Sequence, residues 1–228
     1  MAGGTTYSSL VDKIITPSDD VYNEGRQGNQ VTKITVHCQV ALHSPEQCVD
    51  GWVNEGRDVS ANYIIGPDGR IGGYVAEEDR SWCSSSRDND NKAITIEVAS
   101  NYTSPYEFPD AAYNRLILLC ADICTRYNFT LYFTGDSSGS LTAHYMFNGG
   151  DSDACPGPWF RSRFQEFCDA VNAKVKSGVF SPDDYDDSYQ QDEENAVYDY
   201  YLITSTSKQD GPGDCGNKIT GSVYLGRW

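Results

Sequence analysis

The sequence predicts an α/β domain in which a mixed central β-sheet is flanked by α-helices. Two β-branched segments, residues 33–37 and 93–98, alternate in the way that half-buried strands do. Residues 109–126 carry apolar side chains at helical spacing, and residues 159–176 do the same at the end of the globular part. Strands interspersed with amphipathic helices favour a sheet that is covered by helices.

Turn and capping residues predict the shorter elements. Serine is a favoured N-cap and proline is tolerated at the first helical position, so Ser44-Pro45 predicts the start of a helix. Residues 62–66 and 70–75 predict a hairpin around the Asp68-Gly69 turn. Residues 131–134 predict a further short strand.

The composition divides the chain into four parts. We expect residues 1–30 to form an N-terminal arm, 31–177 the folded domain, 178–197 an acidic linker and 198–228 a small appendage with strand-like segments. Residues 183–199 are rich in Asp and Glu and contain no Lys or Arg, and such charge keeps a segment solvated. The run does not match the glycine and terminal glutamate of an EF-hand calcium loop.

Charge and hydropathy argue against two classes of function. The formal net charge is −16, whereas phosphate binding requires a basic surface, so nucleic acid is not expected as a partner. No apolar run approaches the roughly 18 residues that a membrane span requires. The N-terminus lacks the basic and apolar regions of a secretory signal, so we expect synthesis in the cytoplasm.

The eight cysteines include no CxxC pair. In a chain without a secretory signal, they are expected to be mostly reduced, buried thiols. Cys120 and Cys124 are four residues apart on a predicted helix, which favours a place in the core. They are also the alternative metal or redox pair.

Three residues from distant parts of the chain form a candidate zinc site. His37 ends a predicted strand, where α/β sheets usually place ligands, and Cys155 precedes a Pro-Gly-Pro turn on a loop. With His144 they supply two imidazoles and a thiolate, which leaves the fourth position open as in catalytic zinc sites. A triad of His37, His43 and His144 is the alternative that remains open.

Glu97 is the candidate general base. It stands alone in an apolar strand, where an inward carboxylate is costly unless it is paired or used in chemistry. Its alternative is an outward-facing position on that strand. Further side chains of aromatic, arginine and asparagine type are candidates to contact the substrate, although Trp82 is equally suited to anchor the core. These candidates are Asn62, Tyr63, Trp82, Arg87 and Asn91.

Four blocks, at residues 34–38, 59–71, 91–98 and 144–158, together resemble the zinc-dependent N-acetylmuramoyl-L-alanine amidases of phage endolysins and bacterial autolysins. Peptidoglycan recognition proteins share the fold of that family. The resemblance implies that the substrate is bacterial peptidoglycan, cleaved between N-acetylmuramic acid and the L-alanine of the stem peptide. It also implies one Zn2+ per chain, held by His37, His144 and Cys155, with Glu97 as the base.

One position departs from the family. Many members carry a lysine two residues before the metal cysteine, and this chain has Asp153 there. That lysine stabilises the developing oxyanion, so another donor is required. The candidate donors are Arg87, Lys92 and the amide of Asn62. The aspartate keeps open a non-catalytic peptidoglycan-binding module, and a thiol hydrolase that uses Cys155 with His144 is a third hypothesis.

Overall fold

The computed structural model describes residues 6–18, 20–147 and 155–178. All of them belong to the first of the two units into which the chain divides, Met1–Tyr185. Asp153 and nearly all of the predicted linker and appendage lie outside the described residues, so those expectations remain predictions. No helix within the described part of the chain is long and apolar enough to cross a membrane.

The fold is built on a mixed six-stranded sheet and a separate two-stranded ribbon. In chain order the strands are β1 (Lys13–Ile14), β2 (Tyr22–Asn23), β3 (Lys33–Cys38), β4 (Tyr63–Ile65), β5 (Ile71–Gly73), β6 (Arg80–Ser81), β7 (Ala93–Val98) and β8 (Leu141–Ala143). The large sheet has the order β1-β5-β4-β7-β3-β8, and β2 pairs with β6. Among the described strands of the large sheet, β4 and β5 form one antiparallel pair and the other four neighbouring pairs are parallel, which confirms the predicted hairpin and the predicted mixed sheet.

Helices cover the sheet as predicted. They are α1 (Pro45–Asn54), α2 (Arg87–Lys92), α3 (Asp110–Arg126), α4 (Pro158–Arg161) and α5 (Phe164–Ser177), with a 3-10 turn at His144–Met146. The α1 helix starts with a capping box, because the Ser44 hydroxyl accepts from the Gln47 N–H while the Gln47 side chain accepts from the Ser44 N–H. Cys120 and Cys124 are buried in the core on α3, which supports the structural interpretation of that pair.

The two faces of the sheet differ in chemistry. Ile34 and Val36 of β3 point into the main core with α3 and α5. The alternate residues Thr35 and His37 point to the opposite face, as a period of two requires. In the parallel register of β3 and β7, His37 lies beside Glu97. Strand alternation and register therefore place both candidate site residues on one polar face.

Three sequence-based expectations require correction. Residues 131–134 do not form a strand. The Tyr132 carbonyl accepts from the Leu141 N–H of β8, but the Tyr132 N–H donates to the Ser140 hydroxyl, so no strand ladder continues through these residues. The helix predicted over 159–176 is two helices, and at the break the Ser162 hydroxyl donates to the Trp159 carbonyl, a local bond that competes with helix continuation.

The predicted N-terminal arm is also part of the folded domain. Its strand β1 pairs with β5 at the edge of the large sheet. The buried guanidinium of Arg26 donates to the backbone carbonyls of Glu77, Asp90 and Ala93. Residues 6–18 and 20–30 therefore contribute to the sheet and its packing.

Candidate metal centre

His37, His144 and Cys155 come together at the carboxyl ends of neighbouring parallel strands. His37 is near the end of β3, and His144 directly follows β8, which pairs with β3. Cys155 precedes the short α4 helix, and its Sγ lies 3.3 Å from His37 Nδ1. The ligand atoms of the three residues lie within 4.8 Å of one another, and the two imidazole centroids are 5.0 Å apart.

This donor set fits zinc. Zinc–nitrogen and zinc–sulfur bonds of about 2.1 and 2.3 Å at a tetrahedral angle place the two donor atoms roughly 3.5 Å apart, close to the separation of Cys155 and His37. Burial, together with the neighbouring His144, lowers the pKa of His37 to about 3, so its imidazole is neutral and can bind a metal ion. The alternative triad is not supported, since His43 belongs to no metal-binding group among the described residues.

Glu97 faces the same site from the adjacent strand. Its Oε1 lies 4.0 Å from His37 Nδ1, and its side chain is 16% exposed. Burial raises the pKa of Glu97 to about 7, against the opposing effects of Arg57 and the Cys83 thiol. The outward-facing alternative is therefore wrong, because the carboxylate points into the site and carries the raised pKa of a desolvated acid.

Buried hydroxyl and amide groups support the floor of the site. The hydroxyls of Thr35 and Thr142 are 2.8 Å apart, and Asn89 of α2 donates to Thr35 Oγ1 at 2.8 Å. The hydroxyl of Thr95, on the neighbouring strand β7, lies 2.7 Å from the hydroxyl of Ser81 on β6. Thr35 and Thr95 precede His37 and Glu97 by two residues on the same strands, so these bonds help to fix the strand ends that carry the candidate residues.

The site opens into a cavity of about 980 Å³. Trp82 and Arg87, both predicted to contact the substrate, line this cavity, and so do His37, Glu97 and Cys155. The Trp82 indole N–H donates to Asn23 Oδ1 at 2.8 Å, which holds the ring at the surface of the cavity and not in the core.

The remaining predicted groove residues lie elsewhere. Asn62 is fully buried and donates to the carbonyls of Val75 and Ala76 at 3.1 Å, so it holds a loop in place. Tyr63 is also fully buried, and its hydroxyl donates to the Glu77 carboxylate. The Asn91 side chain is buried and donates to Gln27 at 3.2 Å. The expectation of direct substrate contact is therefore corrected to a structural role for Asn62, Tyr63 and Asn91.

The positions of the side chains also distinguish among the three candidate oxyanion donors. Asn62 is buried away from the cavity, and the Lys92 ammonium group is bound to Asp88 at 2.8 and 3.0 Å. Of the three candidates, Arg87 is the one that lines the cavity. It is the candidate that the geometry favours.

Sequence reasoning missed several residues of the cavity. Arg57 lines it from the loop after α1, and Cys83 places its Sγ 3.9 Å from Glu97 Oε1. The Ser85 hydroxyl lies 3.2 Å from His144 Nε2 and so positions that ring. Nothing in the local sequence distinguishes these residues from surface residues, because Arg57 reaches the site from the loop after α1, and Cys83 and Ser85 reach it from the loop that precedes α2.

Comparison with known proteins places the chain in a family. The N-acetylmuramoyl-L-alanine amidase family matches residues 27–158, which is more than half of the chain and includes all four candidate residues. The chain belongs to this family. No curated protein sequence matches it.

Solved structures share the fold. The hydrolase AmiA of Staphylococcus aureus, solved with its ligand, has a TM-score of 0.56 at 20% identity over 75% of this chain and 86% of that chain. The PlyG catalytic domain has a TM-score of 0.56 at 15% identity, covering 72% of this chain and 94% of that one. The endolysin amidase LysCS from Clostridium intestinale has a TM-score of 0.50 at 19% identity, covering 75% and 99%. At such identities these likenesses establish the fold alone.

Proposed function

We propose that the protein is a peptidoglycan hydrolase that cleaves the amide between N-acetylmuramic acid and the L-alanine of the stem peptide. The observation that carries the proposal is the convergence of His37, His144 and Cys155 beside Glu97 in a member of the amidase family. Those three residues would hold one zinc ion. When bound, zinc supplies Lewis acidity, which polarises a carbonyl and lowers the pKa of water.

Glu97 moves the proton in this proposal. It takes a proton from the attacking water and delivers it to the nitrogen of the departing alanine. A carboxyl group with a pKa near 7 suits both steps, because it neither holds the proton too firmly nor fails to accept it. Its place beside His37 in the strand register keeps it within reach of the same small volume.

Trp82 and Arg87 are proposed to bind the substrate. The indole offers an apolar surface for sugar or peptide, and the guanidinium offers paired donors for a carboxylate or for the developing oxyanion. Arg57 and Arg80 also line the cavity, together with acidic side chains that include Glu55 and Asp58, so its walls carry charges of both signs. The arginines among them can pair with the carboxylates of a stem peptide.

The test is hydrolysis of purified cell walls, read as free muramoyl sugars and new L-alanine amino termini. We expect Glu97→Gln to lower the rate by about 10²–10⁴-fold, the usual range for general acid–base catalysis. Glu55→Gln is the matched control, because Glu55 lines the same cavity but is exposed. Chelation is expected to abolish activity in the wild type, and equal rates for the two variants would contradict the role of Glu97.

Two other hypotheses have distinct outcomes in that assay. Wall binding without new amino termini, unaffected by chelator, would indicate a non-catalytic binding module. Activity that survives chelation but not alkylation would indicate a thiol hydrolase. Burial and the nearby Cys38 thiol raise the pKa of Cys155 well above its ordinary value, which disfavours a metal-free thiolate nucleophile, whereas a bound dication would lower that pKa and favour the thiolate as a ligand.

A further inference from the structure

A second group of metal-binding side chains shares His37 with the site described above. The ligand atoms of His37, Cys83 and Glu97 lie within 4.8 Å of one another. Cys83 Sγ is 3.9 Å from Glu97 Oε1, and His37 Nδ1 is 4.0 Å from that same oxygen. Imidazole nitrogen, thiolate sulfur and carboxylate oxygen are all donors that zinc and similar thiophilic ions accept.

We propose that His37, Cys83 and Glu97 form a second binding site, or second seat, for a thiophilic divalent ion. An ion bound there excludes an ion from the first seat, which is the site formed by His37, His144 and Cys155. The exclusion follows from His37. Its Nδ1 lies 3.3 Å from Cys155 Sγ and 4.0 Å from Glu97 Oε1, so one nitrogen faces both donor sets. A single imidazole nitrogen has one lone pair and can bind one ion.

The geometry requires only small adjustment. Tetrahedral zinc places nitrogen, oxygen and sulfur donors roughly 3.3–3.6 Å apart, and the two measured separations exceed this by about half an ångström. Cys83 and Glu97 are partly exposed side chains that line the cavity, so rotation about their side-chain bonds can close this difference. Without an ion, the Cys83 thiol donates a weak hydrogen bond to the Glu97 carboxylate.

The charges of the donor groups allow the second seat to compete with the first for a divalent ion. The thiolate of Cys83 and the carboxylate of Glu97 together neutralise a dication, whereas the first seat supplies one anionic donor, Cys155. In a desolvated site, full neutralisation avoids a net buried charge. An ion in the second seat also occupies the proposed general base, so it would hold the protein in a resting state. That consequence rests on the proposed function, but the seat itself does not.

Cobalt(II) binding to the full-length protein tests the seat, because a thiolate ligand gives cobalt a charge-transfer absorption band. Removal of the first seat by Cys155→Ala is expected to leave one cobalt ion with a thiolate band. Addition of Cys83→Ala should remove the band and weaken binding by at least about tenfold. Addition of Cys48→Ala is the matched control, since Cys48 also lines the cavity but belongs to neither group, and it should leave the band unchanged.

Two outcomes would overturn the seat: Cys155→Ala protein without a thiolate band, or a band that survives removal of Cys83. Circular dichroism checks the fold of each variant, and if Cys155→Ala does not fold, Cys155→Ser removes that thiolate in its place. Titration of the wild type tests the exclusion, which predicts saturation at one equivalent of cobalt; two equivalents would overturn it. All of these measurements read metal binding, so they remain informative if the protein proves not to hydrolyse cell walls.

Discussion

Replacement of Asn62 by alanine tests whether this residue has a structural role or binds the substrate. The Asn62 side chain donates to the Val75 and Ala76 carbonyls at 3.1 Å and accepts from the Thr95 N–H at 3.1 Å. The alanine variant leaves these buried backbone groups without the side chain's hydrogen bonds. At about 1–3 kcal/mol for each group left unsatisfied, and allowing that some relax, we expect a loss of about 3 kcal/mol in the free energy of unfolding.

Urea unfolding followed by circular dichroism measures this loss. With an m-value of about 2 kcal/mol/M, the midpoint should fall by roughly 1.5 M. Asn54→Ala is the matched control, because Asn54 is exposed at the end of α1 and should change stability by less than about 0.5 kcal/mol. The KM for cell walls should stay within about twofold of wild type, since Asn62 does not reach the cavity. A wild-type midpoint combined with a raised KM would refute this reasoning.

Three further predictions concern other parts of the molecule. Arg87→Gln should lower kcat/KM for wall hydrolysis by at least about tenfold, and Arg70→Gln, on an exposed hairpin turn, is the control; equal values would exclude Arg87 from substrate binding. Glu77→Leu should cost about 3–5 kcal/mol in urea unfolding because it leaves Arg126, now bound at 2.5 and 2.7 Å, without its buried partner; a loss under 1 kcal/mol would contradict this. The pKa of Glu46 is lowered from 4.5 to about 2 by its own backbone amide and by Lys13, so its contribution to stability is present above pH 4.5 and is lost as the pH falls towards 2. Glu46→Gln should therefore lose less stability than wild type across that pH window, and parallel curves would be the contrary result.

Local patterns predicted the elements that depend on local chemistry. Alternation of apolar residues was sufficient for β3 and β7, and the capping residues were sufficient for the start of α1. The failure at residues 131–134 has its cause in the following loop, because the Tyr132 N–H donates to the Ser140 side chain and the strand forms at Leu141–Ala143 instead. No local signal encodes that partner.

Sequence patterns predicted only part of the candidate site. The residue types of His37 and Glu97 indicated their chemistry, but the register that sets them side by side is a property of the assembled sheet. Burial determined which predicted groove residues can reach a ligand. Asn62 and Asn91 have side chains suited to ligand binding, but both are buried and donate to the protein's own backbone or side chains. Cys83 reaches the site through a loop whose path no periodic pattern describes.

We propose that His37, His144 and Cys155 jointly hold one zinc ion, and X-ray absorption spectroscopy of full-length protein loaded with one equivalent of zinc tests this. We expect one tightly bound ion whose predominant coordination contains two imidazole nitrogens and one sulfur, with that sulfur lost in Cys155→Ala/Cys83→Ala protein. A zinc shell without sulfur, or wild-type protein that retains no zinc after gel filtration, would contradict it.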